Sequence, residues 1–419
     1  MHLGVLQNGE PGMSSISTQV TPMAGKKAAM PLALWALAIS AYAIGTTEFV
    51  IVGLLPTVAT DLGISLPMAG LIVSVYALGV TFGAPVLTAL AGRLPRKGLL
   101  LGLMGLFIAG NLLAGFSANY EILLVARVLS AFAHGVFFSV GATIAADLVA
   151  PDRRASAIAM MFSGLTVALV TGVPLGAWIG QQFGWRATFL AVAALGVVSA
   201  AGIAALLPAN TARPQAASLL DQVKVLGQPR LLLAFAITAL GYGGTFVAFT
   251  FLSPILQDIT GFSEAAVNLI LVLYGLAIAA GNYLGGKMAN RAPIVALAWL
   301  FGLQAVVLIL FAFTAPFKTP ALITLAGMGA LAFANVPGLQ LYVVQLAQRY
   351  APGAVDVASA LNIAAFNLGI AIGAWAGGRV VASSLGLGAT PWVGGLFVAA
   401  ALALTLLSGA LDRRARTGT

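Results

Sequence analysis

The 419-residue chain contains no cysteine, two histidines and only 7% charged residues. Without cysteine there are no disulfides, thiolate metal sites or cysteine nucleophiles. Ordinary soluble domains carry about a quarter charged residues. Twenty basic and eleven acidic side chains are too few to coat a soluble protein of this length. The ~10-residue apolar/polar alternation of a membrane β-barrel is missing too. So are a histidine pair, an acidic cluster and a phosphate-cradling glycine loop, so no metal or nucleotide cofactor is expected. What is present is 60% hydrophobic residues and a mean hydropathy of +1.03. This is the composition of an all-α polytopic membrane protein.

A membrane helix needs about 20 apolar residues. Such runs occupy approximately 32–57, 68–92, 98–117, 121–148, 155–180 and 186–207, then 230–256, 264–286, 293–315, 320–347, 355–382 and 391–410. The chain thus divides into a polar, Ser/Thr/Gly/Pro-rich tail at 1–31, six spans over 32–207, a polar linker at 208–229, six spans over 230–410 and a basic tail at 411–419. The composition of 1–31 predicts disorder, and Met13, Met23 and Met30 are alternative starts. Span 1 follows Lys26 and Lys27, is too long for a signal-peptide core, and is expected to be retained.

The basic residues are placed by side. Sixteen fall in the compartments that would hold the termini and linker, among them Arg93, Arg96, Lys97, Arg213, Lys287, Arg291 and Arg413. Three fall opposite: Arg186, Lys318 and Arg379. The positive-inside rule then puts both termini in the cytoplasm. The net charge of +9 is a topology signal, and no nucleic-acid partner is expected.

The two groups of six spans are copies. A shift of 198 superposes Gly45, Thr47, Leu54, Pro56, Tyr76 and Arg93 on Gly243, Thr245, Leu252, Pro254, Tyr274 and Arg291, among 13 identities over residues 45–93. About five would arise by chance. Six spans separate the copies, so they share one orientation. Parallel repeats about an axis along the membrane normal are a transporter architecture, with the site between halves near mid-bilayer.

Ionisable groups inside spans mark function by default. Glu48 is the one carboxylate well inside a span, and its repeat position is Phe246. A carboxyl group whose hydration and neighbours change between two access states can carry a proton across; a structural, hydrogen-bonded acid is the alternative. Arg127 lies within span 4, where a guanidinium costs at least ~2.5–3.5 kcal/mol and needs a cavity or partner, unless it snorkels to the interface. His134, two helical turns on, shares its face. Tyr242, Asn335, Gln340, Asn362 and Asn367 are neutral polar residues that can shape a cavity or bond helices together.

Several segments carry a family resemblance. Ala91-Gly92-Arg93-Leu94-Pro95-Arg96-Lys97 resembles the span 2–3 signature loop of the major facilitator superfamily, Gly-x-Leu-Ala-Asp-Arg-x-Gly-Arg-Arg/Lys, with Thr88, Gly92 and Pro95 replacing the first Gly, the Asp and the second Gly. The repeat copy, Gly286-Lys287-Met288-Ala289-Asn290-Arg291, fits better, with Asn for Asp. Arg127 through Gly135 is similar to the superfamily's Arg-led span 4 motif, with Ser130 and Ala131 replacing its Gln-Gly. Gly164 and Gly172-Val173-Pro174-Leu175-Gly176 resemble the span 5 antiporter motif of drug:proton exporters, with Val173 dividing its Gly-Pro pair. Gly45 through Pro56, Gly184 through Phe189 and Gly281 through Lys287 resemble the arabinose-efflux-permease-like branch of bacterial drug and sugar exporters.

The resemblance implies the twelve-helix major facilitator fold, two six-helix halves about a pseudo-two-fold along the membrane normal. It implies proton-coupled antiport of a small organic solute (drug, sugar or nucleoside-like) from a bacterial inner membrane, by a monomer. Glu48, Arg127 and His134 would couple protons. Thr47, Tyr242, Asn335, Gln340 and Asn367 would line the cavity. Arg93, Arg96, Lys97, Lys287 and Arg291 would latch a conformation, and Gly172, Pro174 and Gly176 would form a rocking seam. Proton-coupled uptake or facilitation would use the same parts. A membrane enzyme or receptor is disfavoured by one Glu, one His and no deep Lys within the spans.

Overall fold

The computed structural model describes residues 1–2, 30–91, 94–150, 153–208, 219–290 and 292–417, and Pro31–Thr419 forms one compact unit. The predicted tail therefore lies almost wholly outside the described residues, as do Arg93, Arg291 and linker residues 209–218.

Among the described residues, twelve spans are long and apolar enough to cross a bilayer. Spans 1 to 4 are Leu32–Asp61, Leu66–Ala91, Arg96–Gly115 and Tyr120–Asp147. Span 5 runs from Arg154 to Phe183 through a widened π turn at Ala168–Gly172. Pro174 cannot donate to the carbonyl four residues back, and such a lost bond is one way a helix comes to carry a π turn. Span 6 is Trp185–Leu206, span 7 Pro229–Phe249, span 8 Glu264–Ala289 and span 9 Pro293–Thr314. Span 10 is broken, Lys318–Ala332 then Val336–Tyr350, and spans 11 and 12 are Val355–Val381 and Thr390–Thr417.

Two boundaries differ from the sequence reading. The linker contains a helix, Leu219–Leu226. Residues 411–417, expected as a tail, continue the span 12 helix, because Asp412 is held by Arg230 at the start of span 7 and by Tyr342 Oη at 2.9 Å.

Span 1 packs on spans 5 and 6, span 3 on spans 4 and 6, and span 2 on span 4. Six spans later the pairings recur: 7 on 11 and 12, 9 on 10 and 12, 8 on 10. The halves meet where span 2 lies along span 11 and span 5 along span 8, contacts that exchange under a two-fold. We call the face carrying the start of span 1 and the end of span 12 the near face, and the other the far face.

Lipid offers no hydrophobic gain for helix contact, so close approach through small residues does the work. A Cβ on Gly164, Gly172, Gly176 or Gly180 of span 5 would lie 2.1–2.3 Å from Ala38, Thr46, Val50 or Leu54 of span 1. In span 8, Gly281 and Gly285 would meet the carbonyls of Ala330 and Ala334 at 1.7 and 1.9 Å. We expect Gly164→Ala, which drives a methyl into the Ala38 carbonyl, to destabilise the fold by ~1–3 kcal/mol. Gly102→Ala, whose Cβ meets nothing within 4 Å, is the neutral control. Thermal unfolding of the purified variants separates the two.

Candidate functional site

At the centre of the first half, spans 1, 2 and 4 bury a connected set of ionisable side chains. Glu48 is 7% exposed, Arg127 1%, His134 5% and Tyr76 1%. Span 4 spacing puts Arg127 and His134 on one face, as expected. The Glu48 carboxylate lies 3.9 Å from His134 Nδ1, and the Tyr76 hydroxyl lies 3.2 Å from that same nitrogen. One imidazole nitrogen is thus shared by two oxygens: unprotonated it accepts from Tyr76, and protonated it faces a carboxylate.

Arg127 is deep, so interfacial snorkelling is ruled out. Its guanidinium donates to the span 1 carbonyls of Thr47 at 2.5 Å and Glu48 at 3.3 Å. It also lies 4.0 Å over the Tyr76 ring, a cation–π contact strengthened by desolvation. Among the described residues the ion-pair partner of Glu48 is His134, not Arg127. Arg127 therefore fixes the backbone that carries Glu48 and the ring that abuts His134. Its Nε is buried without a partner.

Thr47 is fully buried: its hydroxyl donates to Asn111 Oδ1 of span 3 at 2.5 Å, and Asn111 Nδ2 reaches Ser130 Oγ of span 4 at 3.5 Å. The second half repeats the tie. Gln304 of span 9 donates to Thr245 Oγ1 at 2.6 Å, and Asn335 at the span 10 break donates to Gln304 Oε1 at 3.0 Å. Thr245 is the repeat position of Thr47. Thr47 and Asn335 thus hold helices together. Gln340 belongs to a second chain, in which Thr238 donates to Asn362 at 2.7 Å and Asn362 to Gln340 at 2.8 Å. Asn367 donates to the Ile363 carbonyl at 3.1 Å, and its Oδ1, like that of Asn335, is buried without a partner.

Tyr242 sits in an aromatic cluster across the half–half boundary. Its ring centroid lies 5.3, 5.2 and 5.0 Å from those of Phe246, Phe333 and Phe366, and Phe49, next to Glu48, lies 6.2 and 6.1 Å from Phe246 and Phe333. Glu48 is therefore one residue from the boundary. Toward the far face, Gln181 of span 5 and Asn268 of span 8 exchange hydrogen bonds, one at 3.3 Å. Phe251 fills the space over Gly70 of span 2 and Gly377 of span 11.

The signature loop residues hold local contacts. Arg96 pairs with Asp147 of span 4 at 2.6 Å, while Lys97 donates to the carbonyls of Ala204 and Leu207 at the end of span 6, both at 2.7 Å. Lys287 lies 4.3 Å over its neighbour Tyr283. The expected seam is placed differently: Gly172 and Gly176 face span 1 inside the first half, and Leu169 and Val170 beside them meet Gly275 of span 8. The Asp61 carboxylate, at the far end of span 1, accepts from Trp185 Nε1 at 3.0 Å and Arg186 at 2.6 Å, which explains the Gly-Trp-Arg run.

Sequence reasoning missed Tyr76, Asn111, Gln304, Gln181 and Asn268 as site or boundary residues. Tyr76 carried a signal, since it matches Tyr274 in the repeat. The amides carried none, because their partners are distant in the chain.

The major facilitator superfamily profile matches residues 37–355. The chain is 59% identical over 346 residues to the uncharacterized MFS-type transporter YtbD of Bacillus subtilis (strain 168), covering 83% of this chain and 87% of that one. It is 37% identical over 370 residues to the chloramphenicol resistance protein of Streptomyces lividans, covering 84% and 94%. A crystal structure of a bacterial homolog to the human lysosomal transporter Spinster, in an inward-facing and occupied conformation, superposes with a TM-score of 0.72 at 17% identity, covering 90% of this chain and 96% of that one. Helical architecture, repeat and profile converge: the chain belongs to the major facilitator superfamily of membrane transporters.

Proposed function

We propose that the protein exports a small organic solute in exchange for protons, with Glu48 as the proton carrier and His134 as its relay. The observation that carries this reading is the Glu48–His134–Tyr76 contact, buried one residue from the boundary along which the halves meet. When the halves rock, Phe49 parts from Phe246 and Phe333, and Glu48 changes its hydration. Tyr76 competes for His134 Nδ1 whenever the carboxyl is protonated and no longer attracts the imidazole proton. A proton entering down a membrane potential yields ~2.3 kcal/mol per 100 mV, enough with a pH gradient to drive uphill export. Similarity to a chloramphenicol resistance protein favours a drug-like solute and the outward direction. The excess of Lys and Arg on the near face favours that face as cytoplasmic. The Gln181–Asn268 clasp then closes the outside, and the site loads from within.

Cells with and without the protein, challenged with a panel of toxic compounds and sugars, identify the solute whose accumulation falls on expression. In proteoliposomes that solute should move uphill only against an imposed proton gradient of opposite direction. Glu48→Gln should reduce uphill transport to the level of protein-free vesicles; full proton-coupled transport by this variant sinks the carrier role. Movement in the same direction as the protons would assign uptake instead.

A second expectation uses the absence of cysteine. Gln181→Cys combined with Asn268→Cys introduces the chain's only thiols. Oxidation should cross-link spans 5 and 8 and arrest transport, and reduction should restore it. Undiminished transport by the cross-linked protein would show that this clasp never opens.

A further inference from the structure

Spans 2 and 11 run antiparallel along the boundary between the halves, and their cross-contacts keep a constant step. Toward the far face Gly378 lies against Pro67, its Cβ position 3.4 Å from the Pro67 carbonyl. Ser74 Oγ then donates to the Ala371 carbonyl at 3.1 Å, and Thr81 Oγ1 reaches the Ala364 carbonyl at 3.4 Å. Each contact lies about two helical turns from the last on both helices, so the seam stays in register.

The two hydroxyl rungs are unequal. Thr81 makes its shorter bond, 2.8 Å, to the Ala77 carbonyl of its own helix. Ser74 donates across the boundary. When a rung parts, its hydroxyl can turn to the carbonyl four residues earlier, Gly70 or Ala77, so opening strands no donor in the bilayer. Tyr76, which meets His134, stands between the two hydroxyls on the same helix.

Asn367 lies between the rungs. It falls one turn from both Ala364 and Ala371, and helical spacing puts it on the face that meets span 2. Its side chain is 4% exposed; Nδ2 donates to the Ile363 carbonyl at 3.1 Å, and Oδ1 is buried without a partner. A buried acceptor left unpaired is costly. Helical side chains lean toward the helix N-terminus, which carries this oxygen toward the level of Ala364 and the Thr81 hydroxyl.

We propose that Ser74, Thr81 and Asn367 set the balance between the two access states. The Ser74–Ala371 bond holds the far-face end of the seam shut. In the state open to the far face that bond breaks, the near-face ends of spans 2 and 11 close, and the Thr81 hydroxyl passes from Ala364 to Asn367 Oδ1. One state satisfies Ser74 across the boundary, and the other satisfies Asn367. Tyr76 moves with span 2, so the exchange shifts the residue that competes for His134. All three are positioning residues, with no contact to solute or proton assigned to them. The inference rests on the alternating access proposed above.

A chain without cysteine makes the balance measurable. Nitroxides on Met68→Cys with Ser384→Cys report separation at the far face, and on Gly98→Cys with Gly353→Cys at the near face; all four positions are exposed. Distances are read by double electron–electron resonance on the whole protein in lipid nanodiscs, without solute or pH gradient. Ser74→Ala should raise the ratio of far-open to near-open protein about fivefold, the ~1 kcal/mol a hydrogen bond contributes net. Ser74→Thr, which keeps the hydroxyl, should stay close to the parent ratio. In the Ser74→Ala background, where both states are populated, Asn367→Leu should lower the ratio again by a similar factor. It removes the stranded oxygen from one state and the acceptor from the other. Thr81→Val, which leaves Asn367 in place, should lower it too. Parent-like ratios in Ser74→Ala, or a ratio that Asn367→Leu and Thr81→Val leave unchanged or raise, overturn the proposal. These populations are read without transport, so they stand or fall separately from the Glu48→Gln result and from the direction of solute movement.

Discussion

Helices surrounded by hydrocarbon gain little from hiding apolar side chains against one another, so their association depends on backbone approach and hydrogen bonding. Most of the architecture follows from that constraint. Four glycines of span 5 lie against span 1, two of span 8 lie against the span 10 backbone, and glycines of span 11 face span 7. Where such contacts run inside a half they lock helices into a unit. Contact between the halves is drawn from the same vocabulary: span 2 lies along span 11, with Ser74 Oγ donating to the Ala371 carbonyl at 3.1 Å, and span 5 meets span 8 with Gly275 against Leu169 and Val170 and one amide clasp.

Buried polarity is organised around the same units. Thr47–Asn111–Ser130 joins spans 1, 3 and 4, and Thr245–Gln304–Asn335 joins spans 7, 9 and 10. The repeat conserves this tie while the chemistry next to it diverges. Glu48 stands where the second half has Phe246. Tyr76 meets His134, whereas Tyr274 stacks on Phe249 at 5.4 Å and its hydroxyl is buried without a partner. The first half thus carries Glu48, His134 and Tyr76 at this site, and the second presents Phe246 and Phe333 to Phe49 beside them.

Arg127 shows how a charge can serve a site without pairing with its acid. A guanidinium in this setting needs acceptors, and the Thr47 and Glu48 carbonyls supply them. The Glu48 carboxylate is left to His134, with no direct ion pair to the arginine among the described residues. In the proposed exchange reaction that separation matters more than the presence of the arginine alone.

By itself the sequence determined the twelve spans, the duplication and the rarity of intramembrane charge, because each is a property of composition or period along one chain. It therefore singled out Glu48, Arg127 and His134. Only the tertiary structure decided who meets whom. It gave the Glu48 carboxylate to His134, turned Thr47 inward to Asn111, and faced Gly172 and Gly176 toward span 1 rather than toward the other half. It also continued the span 12 helix to Thr417 and found Tyr76 between a guanidinium and an imidazole. Hydrogen bonds between helices join residues tens to hundreds of positions apart, and their direction is set by the rotation of each helix about its axis. Hydropathy is nearly uniform around these spans, so nothing in the local pattern fixes that rotation; close packing does.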